Sequence, residues 1–278
     1  GGTCYDGSES SAREVAEMNR WSRGMGWVLW VMAVFAVGSS VAEGASPRSL
    51  QEIRARGELV VGIEDDTWGR FHIWDKGSVE GLEVDLAERI AQAVGVSLRV
   101  MPIPWGKGEA GTISGSWESG TWVEADLLLA GITTDAERAQ KVTFSDWYFS
   151  AGQTVLFRKA LGARTTGDLA GRRVSFQGGT TSEAVVRDSM PRSEAVPFAT
   201  WRDAFSAFME GTVDAVVVDS PLAIQKAREN PELHVLGVLL SRERYGVAMP
   251  KDVDPEFKAL VDQVVRQCRE ELFRKWFS

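Results

Sequence analysis

The chain alternates short apolar runs with longer stretches in which apolar residues recur every third or fourth position. Residues 59–63 (LVVGI) are bounded by Gly57 and an acidic turn, which predicts a buried strand. Over 83–94, Leu86, Ala87, Ile90, Ala91 and Val94 repeat at helical spacing with charges between them, and Gly95 follows as a left-handed cap. Residues 96–100 are the next strand. Strand, helix, strand at this spacing is a βαβ unit and predicts a parallel sheet. Further strands are predicted over 127–130, 154–157, 173–177, 213–219, 235–240 and 245–249, and helices over 49–56, 201–209 and 255–268. One segment breaks the rhythm. Over 101–124 five glycines alternate with Trp105, Trp117 and Trp122, which predicts a loop-rich insertion whose tryptophans either cover the core or stack on a ligand.

The start of the chain carries a different pattern. After Met18 come Arg20 and Arg23, an unbroken apolar run over 26–38, and the small residues Ser40-Val41-Ala42. These are the three parts of a secretory signal peptide over 18–42. The run is short of the ~20 residues that span a bilayer. Residues 1–17 read as an upstream segment and 43–48 as a linker. Cleavage after Ala42 removes Cys4 and leaves Cys268 alone, on the apolar face of the last helix, so the fold rests on its core.

Composition narrows the function. The net charge of −8 argues against a nucleic-acid partner. The only histidines, His72 and His234, are far apart, and no CxxC, HExxH, phosphate loop or GxSxG is present. A histidine or cysteine metal site and a histidine triad are therefore not expected, and neither is a cofactor.

The candidate chemistry clusters at predicted strand ends. Gly131 closes the run 127–130, a turn with Thr133, Thr134 and Asp135 follows, and Arg138 comes next. Ligands of open α/β sheets bind beyond such ends, and a guanidinium there suits a carboxylate; the alternative is a surface arginine. Gly178-Gly179-Thr180-Thr181 opens a helix with Thr180 and Glu183 at capping-box spacing, where free N–H groups can receive an anion or simply be capped. Asp219 ends its strand as either an amine acceptor or a helix cap. Glu64, Asp65 and Asp66 form an acidic group that is a cation site, acid/base machinery or a solvated turn.

Taken together, GELVVGI, EGLEVDLAERIAQAVGV, ADLLLAGITTDAER, VTFSDWYFSAGQTVLFRK, DLAGRRVSFQGGTTSE, GTVDAVVVDS, YGVAMPK and a closing KWF follow the order found in one family. From about Leu50 onward the chain resembles periplasmic solute-binding proteins of the polar amino-acid type, extracellular family 3. The resemblance implies an α/β fold of periplasmic binding protein type II, each lobe a mainly parallel sheet flanked by helices. Residues 49–150 and 249–278 would form the first lobe and 151–248 the second, joined by two crossover strands. It implies a monomer in the periplasm that binds an amino acid and hands it to an ABC permease. Arg138 would hold the α-carboxylate, helped by Thr133, Thr181 and the neighbouring Thr180. Asp219 and the backbone at Gly131 would hold the α-amino group. Trp68 and Asp65 would cover the ligand, and Trp105 and Gln177 would meet its side chain. Cyclohexadienyl dehydratases resemble the same family and carry a GGT turn, which makes Glu183 the candidate acid of an alternative, enzymatic reading. A ligand-sensing accessory protein is a third.

The chain departs from the family at Trp68-Gly69-Arg70-Phe71, where a PPF segment is usual, and over 106–122, where a regular helix is usual. An Arg70 turned inward would favour a ligand with a second carboxylate. The alternative is a solvent-facing arginine whose stem lies over Trp68 or Phe71.

Overall fold

A computed structural model describes residues 49–278. The expected upstream segment, signal peptide and linker lie outside the described residues.

Twelve strands and seven helices follow one another as α1 (Leu50–Arg56), β1 (Glu58–Glu64), β2 (Ile73–Asp75), β3 (Ser78–Glu80), α2 (Leu82–Val94), β4 (Ser97–Ile103), α3 (Gly115–Glu118), β5 (Leu127–Leu129), β6 (Thr143–Ala151), β7 (Gln153–Arg158), β8 (Arg173–Gln177), α4 (Thr181–Ser189), β9 (Glu194–Phe198), α5 (Trp201–Met209), β10 (Ala215–Asp219), α6 (Ser220–Glu229), β11 (Leu233–Val235), β12 (Glu243–Met249) and α7 (Pro255–Phe277). They build two five-stranded sheets, ordered β4-β1-β5-β12-β6 and β11-β7-β10-β8-β9, and a β2-β3 hairpin. In the first sheet β4, β1 and β5 are parallel, and β12 is antiparallel to β5 and β6. In the second, β10, β8 and β9 are parallel and β7 is antiparallel to β10 and β11. The sheets are thus mixed rather than mainly parallel, because β12 and β7, the strands that enter each sheet from the other, run against the βαβ part.

Apolar periodicity decides what each element covers. α2 buries Leu86, Ala87, Ile90, Ala91 and Val94 against one face of the first sheet, where α7 adds Phe257, Val261, Val265 and Cys268. The other face takes Ile103, Trp105, Ile113, Trp117 and Val123 from the glycine-rich segment. α5 and α6 cover one face of the second sheet with Ala204, Phe208 and Leu222, and α4 covers the other with Val185 and Val186. Cys268 is a buried free thiol, and burial pushes its pKa up.

Three expectations need correction. The strand expected over 235–240 is instead β11 at Leu233–Val235, and beyond it Leu236 N–H still reaches Val155 O, at 2.9 Å. The last helix runs past 268 to Phe277, where its ring packs 5.0 Å from Phe71 and 4.9 Å from Phe149. Residues 243–248, assigned by resemblance to the second lobe, belong to β12 in the first sheet.

The chain passes between the sheets at Gly152, between β6 and β7, and again between β11 and β12. The two passages touch. Gln153 N–H donates to Ser241 Oγ at 2.8 Å, and Leu240 N–H donates to Gln153 O at 2.8 Å. A Cβ on Gly152 would lie 2.2 Å from the Ser241 carbonyl oxygen, which is backbone and cannot swing away. Gly152→Ala is therefore expected to cost about 1–3 kcal/mol by forcing the passages apart. Urea denaturation measures it, and unchanged stability would show that they separate freely.

Candidate functional site

The parallel strands β1, β5, β8 and β10 all end at one place. Their carboxyl ends put Glu64, Gly131, Gln177 and Asp219 around one narrow, largely closed cavity. Trp68, Trp105, Thr133, Arg138, Thr180 and Thr181 complete the wall with Ala130. Nine of the ten residues expected at the site therefore meet there, drawn from both sheets. The tenth, Asp65, is exposed and outside the cavity.

Arg138 is only 7% exposed. Its Nη1 donates to Thr133 O at 3.3 Å, and its Nε lies 3.3 Å from Asp135 Oδ2. Its guanidinium carbon stands 4.8 Å from the Trp117 ring centre and 5.8 Å from that of Trp105. Cation–π contact of this kind fixes the plane of the fork. The tryptophans of the glycine-rich segment thus hold the arginine as well as covering the core. Trp122, by contrast, donates to Ala125 O at 2.8 Å and packs on the core away from the cavity. Burial pulls the Arg138 pKa down, and Asp135, Glu243, Glu118 and Asp219 oppose it.

Asp219 faces the cavity from the end of β10 and accepts a short hydrogen bond from the Tyr245 hydroxyl. Its side chain makes no cap bond to α6. Burial first, then the nearby Glu243, raise its pKa to about 7. Glu243 Oε2 accepts from Thr133 Oγ1 at 2.6 Å and from Thr181 Oγ1 at 3.0 Å. A hydroxyl carries a single proton. In this arrangement both threonines give theirs to Glu243, and not to a ligand carboxylate as the resemblance implied. The Thr181 oxygen in turn accepts from Gln153 Nε2 at 3.1 Å. The Thr180 hydroxyl likewise donates to Gln177 O at 2.8 Å and caps α4 by accepting from Ser182 N–H at 3.3 Å.

The expected capping box is displaced. Glu183 reaches past Thr180 and accepts from Gly179 N–H at 2.9 Å, so the chain itself supplies the anion at this turn. Lys107 Nζ, from the first sheet's side, lies 3.0 Å from the same carboxylate. The Gly179 N–H first, and Lys107 with it, hold Glu183 below the usual carboxylate range.

The acidic group 64–66 splits three ways. Asp65 goes to solvent. Asp66 is buried and pairs closely with Arg202 at the start of α5, joining the two sheets. Glu64 faces the cavity, where Gln177 Nε2 donates to it at 3.1 Å from the other side. Burial, the largest cause, lifts Glu64 to about 7, against the pull of His72 and Gln177. Among the described residues no group of three His, Cys, Asp or Glu could hold a metal ion.

Behind the wall lies a second polar layer. Glu83 is fully buried and gathers His72 Nδ1 at 2.6 Å, the Gly131 N–H at 2.7 Å and a short bond from the Tyr148 hydroxyl. Gly131 needs its φ of +58°, and a Cβ there would lie 3.3 Å from Trp68 Nε1. Trp68 closes over the cavity and meets Trp201 edge-on at 5.9 Å. Trp105 Nε1 reaches Gly179 O at 3.3 Å. Reading the sequence missed Glu83, Glu243, Tyr245 and Gln153. Glu83 left a signal, since it shares the helical face of Ala87, Ile90 and Val94. Glu243, between Arg242 and Arg244, left none. Arg70 is exposed and donates to Trp276 O at 2.6 Å, so it adds no charge to the cavity.

A cavity between the strand ends of two sheets, joined by two passages, defines a cleft-binding protein of the type II periplasmic binding fold. The chain belongs to the bacterial extracellular solute-binding proteins, family 3, which it matches over residues 59–278. It is 29% identical over 226 residues to the glutamine-binding protein of Geobacillus stearothermophilus, covering 80% of this chain and 84% of that one. A mutant of ArgBP from T. maritima is similar in structure at a TM-score of 0.72 and 33% identity, over 82% of this chain and 98% of that one. An ancestral amino acid-binding protein, AncCDT-1, described as a precursor of cyclohexadienyl dehydratase, matches at 0.72 and 33%, over 82% and 99%.

Proposed function

We propose that this protein binds a free α-amino acid between its two sheets and delivers it, from the periplasm, to an ABC importer. The observation that carries the reading is the meeting of a buried arginine and a buried aspartate across one small cavity, each from a different sheet. Arg138 takes the α-carboxylate through paired charge-assisted bonds. Asp219 takes the ammonium, and the Thr133 hydroxyl oxygen at the cavity wall assists it. A ligand held this way ties the sheets together, and the pairs Asp66–Arg202 and Lys107–Glu183 add to the closed form. The names of the relatives, glutamine-binding and arginine-binding among them, support the amino-acid class.

The side chain of the ligand then meets Glu64 and Gln177. With Arg138 and Asp219 engaged, the remaining charged or amide groups of the cavity, among the described residues, are Glu64 and Gln177, with no further cation, since Arg70 is turned away. We assign the ligand a cationic or amide side chain, not an acidic one. Turnover is disfavoured by Glu183, which is outside the cavity and held ionised where a dehydratase would need a proton donor. A thermal-shift panel of the twenty amino acids tests the reading. A ligand at 100 times its Kd adds ~2.7 kcal/mol of stability. Arginine, lysine or glutamine should shift the transition, and glutamate and aspartate should not. A response to the acids alone would reverse the assignment.

A further inference from the structure

We infer that His72, buried behind the cavity wall, shares one proton with Glu64 and thereby sets the charge that Glu64 presents to the ligand's side chain. The inference rests on the reading above, in which that side chain reaches Glu64.

His72 is 0% exposed and sits on the turn that carries Trp68, bridged to it through the backbone. Its two ring nitrogens have different surroundings. Nδ1 lies 2.6 Å from Glu83 Oε2. The other oxygen of Glu83 already accepts from the Gly131 N–H and the Tyr148 hydroxyl. Surrounded by donors, Glu83 acts as an acceptor, so Nδ1 carries a proton. Nε2 is the atom whose state varies. It is buried, has no hydrogen-bond partner, and lies 4.0 Å from Glu64 Oε2. At that separation there is no direct hydrogen bond, so a proton sits on one group or the other and each group feels the other's charge. On Nε2 it leaves Glu64 a carboxylate. On Glu64 it leaves the cavity an uncharged acid facing a lone pair.

The groups around the pair define the balance. Asp65 and Asp66 flank Glu64 in sequence, Gln177 donates to it from β8, and Glu83 on α2, backed by Tyr148 on β6, holds His72. Of these only His72 can be positive. Without it, Glu64 is a buried acid close to Asp65 and to the Arg202-paired Asp66, and burial drives it to the neutral form. His72 is thus a positioning residue for a proton: it keeps Glu64 charged toward a cationic side chain without itself touching the ligand. The coupling is mutual, and the proton belongs to the pair.

Nitrogen-15 NMR of histidine-labelled protein tests the shared proton without any ligand. The chain has two histidines, and His234→Gln identifies the other signal. At neutral pH, Nε2 of His72 should be protonated in the parent and lose that proton in Glu64→Gln. The same His72 spectrum in both would overturn the inference. Binding of L-arginine and of L-citrulline, its uncharged isostere, tests the consequence. In His72→Gln, arginine affinity should fall about fivefold at pH 7, approach a tenfold loss at lower pH and recover in alkali, as expected when a carboxyl pKa of about 7 rises by about one unit. Citrulline affinity should barely change. Equal losses for both ligands, or a loss that pH does not reverse, would reduce His72 to packing. If the parent binds neither amino acid, the consequence drawn for the ligand is wrong and the reading of the cavity fails with it, while the nitrogen spectra still decide the shared proton.

Discussion

Arg138→Lys is expected to fold normally and to lose its amino acid by about a hundredfold or more, within the ~2–5 kcal/mol typical when one partner of a buried charge pair is cut back. Lysine keeps the positive charge. It cannot keep the fork that makes two parallel bonds to a carboxylate. It also cannot stay stacked at 4.8 Å from Trp117 while donating to Thr133 O and Asp135, which is how the guanidinium plane is fixed. Arg138 sits at the cavity wall and not in the apolar core, so far-UV circular dichroism and the urea midpoint should change little. Calorimetric titration with the amino acid that responds most strongly in the thermal-shift panel measures the loss. Binding equal to the parent would remove Arg138 from the site.

The second large effect is at Asp219, and it has opposite signs for binding and for stability. Asp219→Asn keeps the shape and the Tyr245 contact but not the charge, so affinity should fall by ~2–5 kcal/mol. The same change should stabilise the ligand-free protein above neutrality. The Asp219 pKa rises from 3.8 unfolded to about 7 folded. A carboxyl shifted upward binds its proton more tightly in the folded state. Its stabilising contribution is full below the unfolded value and is lost as pH rises through about 7. Glu64, raised from 4.5 to about 7, works in the same direction. The empty protein should therefore lose stability between about pH 4 and 7, the reverse of an ordinary surface carboxylate, and Asp219→Asn should flatten part of that slope. The gain on adding ligand should grow over the same interval, because the ammonium needs the ionised acid. Melting curves across this range, with and without amino acid, give both slopes. A parent whose stability rises from pH 4 to 7 and whose ligand shift is flat would contradict the account.

These two residues were recoverable from the sequence for a common reason. Each ends or follows a short apolar run, and a buried parallel strand has a defined carboxyl end where a polar residue has few other uses. Local pattern also sufficed for the βαβ unit at 58–103, for the helices over 201–209 and 83–94, and for the glycine cap at Gly95, since helical and strand periods are set by near neighbours. Family order then supplied Gly131, Thr133 and Gln177. Contacts between distant residues were a different matter. Glu243 lies between two arginines and reads as solvated loop, yet β12 carries it back to the first sheet, where it takes the protons of Thr133 and Thr181. Arg70, two residues from a cavity tryptophan, turns to Trp276 at the far end of the chain. Nothing local distinguishes Asp65 from Asp66, one in solvent and one paired with Arg202. Sequence period determined which residues lie at strand ends. Only the packing of one sheet against the other decided which charges face each other, because burial and partner set a side chain's protonation and direction, and Glu243 for Thr133, Arg202 for Asp66 and Trp276 for Arg70 each lie more than a hundred positions away.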